Sequence, residues 1–356
     1  MLLTASTIRD SLPNVRRFVA ANLASGVDHM VVFLDAPKEA GQREVQAELD
    51  AHPHVTCVPT GRSGWWLDDR PAGLNVRQRI NANVALHLLR DLPWAEWLLH
   101  IDGDEVACVD PALLAEVPAG SGALRLAPME AVSQWHVDQV PTLFKRLLDE
   151  HDLNLLFTLG LIDNPSNASY FHGHIKGKSG VRPGSGLRLT LHNAVDASGT
   201  IVEAHSHPGL RLLHYDAISG EEFARKWIAL STAGRAQFRP NRGVTADALS
   251  ALVKKDLGPE LTQKYLQRIY ETTTRDDVET LSELGMLETC DPSRGGHVPQ
   301  QLTPEARAQL DERLAEVREQ PKRDFHAVES AQGDGRDHGR GNRLRDRLPG
   351  GARRTR

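Results

Sequence analysis

Cysteine is scarce in this chain. The three present, Cys57, Cys108 and Cys290, are far apart in sequence and form no C-x-x-C pair. That argues against a disulfide framework and against a structural zinc site, and reduced, buried thiols are expected. Basic excess is also missing. The net charge is −5, and no interleaving of aromatic and basic residues or nucleic-acid motif accompanies it, so nucleic acid is not an expected partner. No apolar stretch reaches the roughly 18 residues that a membrane helix needs. The N-terminus lacks the basic flank, long apolar region and small-residue cleavage site of a signal peptide, so a cytoplasmic location is expected. No repeat at solenoid periods is present.

What is there is ordinary globular material, 356 residues with 40% hydrophobic and 25% charged, enough for a sizeable core in one large domain or two. Met1 to Ala5 reads as a short strand, Leu12 to Ala24 as a helix ended by Gly26, and His29 to Leu34 as a buried strand ending in Asp35. A helix from Gln42 to Leu49 and a strand from His54 to Val58 follow. Strands alternating with helices predict a mostly parallel α/β sheet. From Leu74 to Arg90, Val76, Ile80, Val84 and Leu88 recur every four positions and predict a helix on that sheet. Gln78, Asn81 and Asn83 lie off this stripe, where solvated amides are expected.

The most informative segment runs from Trp94 to Val106. An apolar run of strand length, Trp97 to Ile101, delivers Asp102, Asp104 and Glu105 to one point, where Gly103 lets the backbone bend. Hard divalent cations prefer carboxylate oxygens and often take only one or two from the protein, leaving phosphate oxygens to complete the shell. An acidic pair at a strand's carboxyl end therefore suits Mn²⁺ or Mg²⁺ with a diphosphate. In such sheets ligands bind beyond the carboxyl ends of the strands, so Thr4, Ser6, Arg9 and Asp35 are expected to share that crevice.

Gln78, Asn81, Leu86 and Trp97, followed by Ile101 to Glu105, resemble the helix, strand and DxDE turn of family 2-like glycosyltransferases and their relatives in family 92. Asn22 to Asp35 is similar to the same family's helix, Gly-Val turn and second strand. The resemblance covers about the first third of the chain. It implies a glycosyltransferase A-type fold, a Rossmann-like mixed sheet with flanking helices. It also implies a nucleotide-sugar donor, expected to be UDP-linked, a glycan or other hydroxyl acceptor, and inversion at the anomeric carbon. Asp35 would then approach the base, Asp102 the ribose or the metal, and Asp104 the metal at the diphosphate, with Gln78 and Gly103 in the same donor site. The family's Ser/Asp-rich turn after Asp35 is replaced here by Ala36 to Gly41.

Further along, Leu124 to Ala127 reads as a strand ending at Met129 and Glu130, and Glu130 is the candidate general base. Asp138 and Asp163 are weaker candidates for that role. Gly173 to Gly186 is glycine-punctuated and carries Lys176, Lys178 and Arg182, cations suited to a departing diphosphate, and it resembles a Lys and Arg-Pro segment of the relatives. It lacks P-loop spacing. Histidines cluster at 172, 174, 192, 205, 207 and 214. His214 is the favoured metal ligand beside Asp102 and Asp104, since it ends a strand before the capping box Ser219 to Glu222 and the relatives carry a similar His-Tyr pair. His192 ranks second, ahead of His205 and His207.

These readings divide the chain into a catalytic domain over 1–243, a helical appendage over 244–319 and a disordered basic tail over 320–356. From Asp334 on, eight arginines stand among glycines and three aspartates, a composition able to touch anionic lipid at the inner face of the membrane. Two other readings compete. In a phosphohydrolase of the haloacid dehalogenase type, Asp102 is the nucleophile and Asp104 the acid/base; against it, about a hundred residues of α/β pattern precede a motif that normally opens the domain. The other is a sugar-nucleotide binder without turnover.

Overall fold

The computed structural model describes residues 1–330, apart from positions 63, 68, 233–239 and 295. The first hundred residues build one half of the sheet: β1 (Leu2–Ile8), α1 (Leu12–Ala24), β2 (His29–Leu34), α2 (Gln42–Ala51), β3 (Val55–Pro59), α3 (Leu74–Leu89) and β4 (Trp97–His100). The strands run parallel in the order β3-β2-β1-β4. Both faces of these strands are covered, which is why they read as near-continuous apolar runs. Leu2 and Ile8 face a cluster that includes Val15, Phe18 and Val19 of α1, and Leu3 and Ala5 face one that includes Ile80, Val84 and Leu88 of α3.

The remaining elements are β5 (Glu105–Val109), α4 (Pro111–Glu116), β6 (Ala123–Ala131), β7 (Leu143–Lys145), α5 (Glu150–Thr158), α6 (Asn167–Tyr170), β8 (Lys178–Val181), β9 (Arg188–Leu189), β10 (Ala194–Val195) and β11 (His205–His214). After them come α7 (Gly220–Thr232), α8 (Pro240–Val253), α9 (Pro259–Thr273), α10 (Val278–Glu283), β12 (Leu287–Thr289) and α11 (Pro304–Arg318). β8 pairs antiparallel with β4, and β6, β7 and β12 continue the sheet beyond it. β11 lies between β6, to which it is parallel, and β5, to which it is antiparallel. The sheet is thus mixed rather than mostly parallel, and β4 is where it changes from one pattern to the other. This α/β architecture with flanking helices is consistent with the expected A-type fold.

Three expectations are revised by packing. The amides of α3 are buried, not solvated: Asn81 donates to Thr7 Oγ1 at 3.0 Å and Asn83 to the Leu189 carbonyl at 2.7 Å, because α3 is enclosed by the sheet on one side and α11 on another. The segment after 244, read as a helical appendage, also contributes to the sheet and core, since β12 extends the sheet and Leu310, Leu314 and Val317 of α11 join the cluster that holds α3. Residues 320–330, expected to be disordered, fold back onto the domain. Lys322 is fully buried with its Nζ donating to the Val317 carbonyl at 2.7 Å, and Glu329 accepts from Thr190 and Asn193. The arginine-rich tail from 331 lies outside the described residues. Among the described residues no helix is long and apolar enough to cross a membrane.

Candidate active site at the end of the central strand

Asp102, Gly103 and Asp104 form the turn between β4 and β5, at the carboxyl end of β4. Gly103 lies against Ile8, where an added Cβ would come 3.0 Å from the Ile8 methyl. Asp102 accepts from Gln78 Nε2 at 2.6 Å and from the fully buried Lys178 Nζ at 2.7 Å. Glu105 turns back and accepts from the Asp102 backbone N–H at 2.6 Å. Burial opposes ionisation of Asp102, but the charge of Lys178 wins and holds its carboxyl down at about 2.

Asp104 faces the other way. Burial again opposes its charge, and Lys226 and His214 overcome it, keeping the group well below the usual carboxylate range. Lys226 Nζ lies 3.0 Å from Asp104 and also pairs with Asp216, while His214 Nε2 is 3.8 Å from Asp104. His214 arrives there by strand register, being the last residue of β11 and opposite both Glu105 of β5 and Glu130 of β6. Burial pushes its imidazole down, and Asp104, Asp216 and Glu105 lift it to about 9. His174, from the loop before β8, puts its Nε2 2.6 Å from Glu105 and stacks on His214 with ring centroids 5.0 Å apart.

Glu130 is buried inside β6, not exposed at its end. Its carboxylate pairs with the fully buried Lys145 at 2.8 Å and accepts from the backbone N–H groups of His172 and Gly173. Lys145 also meets Asp276 at 3.0 Å, and Asp276 reaches His172 Nε2 at 3.1 Å. Burial disfavours the charge of Glu130, yet Lys145 keeps it lowered. That is the wrong direction for a base working near neutrality, and the carboxylate is already committed to its partners. Gly173 is required here, since a Cβ would collide with His214 and Glu130. Three lysines in this region, 145, 178 and 226, each bridge two carboxylates, so six acids meet three ammonium groups. With His214, lifted to about 9, as a fourth positive charge, a smaller surplus of negative charge remains.

Among the described residues, two groups of three potential ligands have their donor atoms within 4.8 Å of one another, Asp104–His214–Asp216 and Glu105–His174–His214. This mixed oxygen and nitrogen set fits a divalent ion, with His214 common to both. Asp102, expected as a ligand, belongs to neither set because Lys178 and Gln78 hold it.

Of the other expected residues, Asp35 sits at the end of β2, bound by Arg77 and Arg70 at 2.7 Å each. Arg9 is exposed at the end of β1 and pairs with Glu39. Thr4 and Ser6 are buried in the interior of β1 on the side of Leu2 and Ile8, so strand alternation turns them into the α1 layer and away from the crevice. Lys176 is exposed on the loop ahead of β8. Arg182 is not brought to the site: it lies over the Trp97 ring and pairs with Glu96, at the opposite end of β4. His192 meets His174 edge to face at 4.5 Å and bonds the Gly177 carbonyl, while His205 and His207 begin β11 far from its site end. The roles of Asp216 and Lys145 went unread in sequence, where Glu105 and His174 stood only as members of the acidic turn and the histidine cluster. One signal was available, since Lys145 follows Leu143 and Phe144 in a strand-like run, the setting of a buried and therefore paired charge.

No family model matches the chain and no curated protein matches it. Among solved structures it is similar to HddC from Yersinia pseudotuberculosis, at 11% identity over 63% of this chain and 96% of that one, with a TM-score of 0.30. It is also similar to the galactosyltransferase LgtC in complex with donor and acceptor sugar analogues, at 16% identity over 51% of this chain and 58% of that one, with a TM-score of 0.23. The bifunctional glycosyltransferase WbbM shows 15% identity over 51% of this chain and 31% of its own, with a TM-score of 0.22. At these scores the functional reading rests on the site itself.

Proposed function

We propose that this chain is a metal-dependent glycosyltransferase that moves a sugar from a nucleotide-sugar, UDP-linked in the simplest reading, to a glycan or other hydroxyl acceptor with inversion. The observation that carries this is the acidic turn at the carboxyl end of β4, at the point where the sheet changes from parallel to antiparallel and His174 and His214 converge. Asp104, a third of whose side chain is exposed, is the most accessible acid of that turn. Lys178 and Gln78 fix Asp102, leaving its outer surface for a ribose. Arg70 and Arg77 hold Asp35 at the end where the base would lie. Lys176 is exposed on a loop that Arg125 of β6 holds at the Lys176 carbonyl, with its ammonium available to a phosphate. An ion of the Mn²⁺ or Mg²⁺ class, held at His214, would neutralise charge on the leaving diphosphate. Glu130, in this reading, anchors His172 and Gly173 so that His174 reaches Glu105, and takes no proton from the acceptor.

Calorimetry with UDP and GDP, with and without Mn²⁺, tests the proposal on the wild type and His214→Ala. Metal-dependent nucleotide binding that the substitution abolishes supports it and names the base. The low pKa of Asp102 beside Lys178 also suits a carboxylate nucleophile, so absence of nucleotide binding together with hydrolysis of a generic phosphate ester would transfer the assignment to a phosphohydrolase. Binding without sugar transfer would leave a non-catalytic sugar-nucleotide binder.

A further inference from the structure

We infer that Glu105, His174 and His214 form a seat for a borderline transition-metal ion, of the Mn²⁺ to Zn²⁺ series, which fills without nucleotide and is selective against Mg²⁺. The three come from separate elements, the start of β5, the loop before β8 and the end of β11, yet their donor atoms lie within 4.8 Å of one another. Strand pairing alone sets Glu105 opposite His214. The third member is delivered by the loop that Glu130 and Lys145 tie down through His172 and Gly173.

Two observations favour this set over Asp104–His214–Asp216. Asp104 and Asp216 already share the ammonium of Lys226, which lies between them. Glu105 keeps Lys178 at 3.7 Å on one oxygen and turns the other to His174. Moreover, the Nδ1 atoms of both His174 and His214 are buried with no hydrogen-bond partner, and His214 is only 6% exposed. Each of the two imidazoles thus keeps one nitrogen that no protein group occupies. Two imidazoles and one carboxylate suit ions from Mn²⁺ to Zn²⁺, whereas Mg²⁺ prefers oxygen and water. The carboxylates outnumber the neighbouring lysines two to one, so a dication lowers the local charge imbalance rather than adding to it.

The seat depends on these side chains and not on the transferase reading, and the two fail separately. Calorimetry of the full chain with MnCl₂, ZnCl₂ or MgCl₂ alone, without nucleotide, tests it. One Mn²⁺ or Zn²⁺ per chain is expected, with Mg²⁺ at least about tenfold weaker. His174→Ala should weaken Mn²⁺ by roughly a hundredfold, while Asp104→Asn, a change of nearby charge only, should cost about tenfold or less. Glu105→Gln should behave like His174→Ala; if that buried change prevents folding, His174→Gln supplies the second variant. Co²⁺ should give a visible absorption band that His174→Ala shifts. Equal affinity for Mg²⁺ and Mn²⁺, a larger loss with Asp104→Asn than with His174→Ala, or no bound ion at millimolar concentration would overturn the assignment.

Discussion

The two halves of the sheet are built on different principles. The half made of β3, β2, β1 and β4 is stabilised by hydrocarbon: its strands are covered on both faces by the clusters around Phe18 and Ile80. The half made of β8, β6, β7, β11 and β5 carries fully buried charges, Lys178, Lys145, Glu130 and Glu105, along the same sheet. Burying a charge is costly unless it is paired, and a buried pair adds little to stability compared with apolar packing while fixing geometry strongly. The parallel half is thus the scaffold, and the antiparallel half is the part whose side chains are locked into one arrangement around His214.

That contrast predicts the largest effect at Lys145. Lys145→Met leaves Glu130 and Asp276 without their ammonium and should destabilise by roughly 3–5 kcal/mol in denaturant unfolding, while also weakening Mn²⁺ binding through the released His172–His174 loop. Leu99→Ala, at the fully buried centre of β4, should cost roughly 3 kcal/mol by cavity formation. It should leave Mn²⁺ affinity within about threefold once the protein is folded, and a loss as large as that of Lys145→Met would erase the distinction between the halves.

Acid acts on buried histidines of both halves and on the carboxylates of one. His29, buried in β2, is pushed down to about 3, by burial first and then by the charge of Arg307. Its folded pKa lies below the unfolded value near 6.5, so the unfolded chain binds the extra proton and stability falls as pH drops through that window, by about 1 kcal/mol between pH 6 and 5. His100, pushed down to about 4, and His192, pushed down to about 2, both chiefly by burial, act in the same window, so His29→Gln should remove about a third of the slope of a thermal-melt profile there. The carboxylates of the other half work lower: Asp276 is held at about 2, burial opposing its charge and Lys145 with His172 favouring it, so its contribution persists until the pH falls below about 4. A His29→Gln profile as steep as that of the wild type would contradict the assignment to His29. The smallest effect is expected at Thr303, whose hydroxyl caps α11 by accepting from the Ala306 N–H at 3.2 Å. Thr303→Ala should cost about 0.5–1 kcal/mol in the same unfolding assay, placing α11 within the scaffold's cooperative unit.

The same division explains what could be read from sequence. The scaffold was legible because β1, β2, β4, α1 and α3 depend on local periodicity, and the Trp97 to Glu105 segment announced its acidic turn directly. The charged half was not, because its logic is long-range: Glu105 meets His214 only through the β5–β11 pairing, and Lys145 meets Asp276 from 131 positions away. Glu130 was expected as a general base at the end of its strand, whereas β6 runs on to Ala131 and buries it. Asp102 was expected as a metal ligand because nothing local shows that Lys178, two residues beyond the exposed Lys176, turns inward to claim it. The fold of residues 320–330 escaped notice since polar composition hides a buried lysine satisfied by backbone carbonyls.

The central claim is that the carboxyl end of β4 is a cation-dependent nucleotide site organised around His214. Anomalous diffraction from crystals of the full chain grown with Mn²⁺ and UDP tests it most directly. The account predicts an Mn²⁺ peak within coordination distance of His214, with the diphosphate of UDP against it beside Asp104. A peak seated on Asp102 and remote from His214, or UDP bound anywhere but at that strand end, would contradict it.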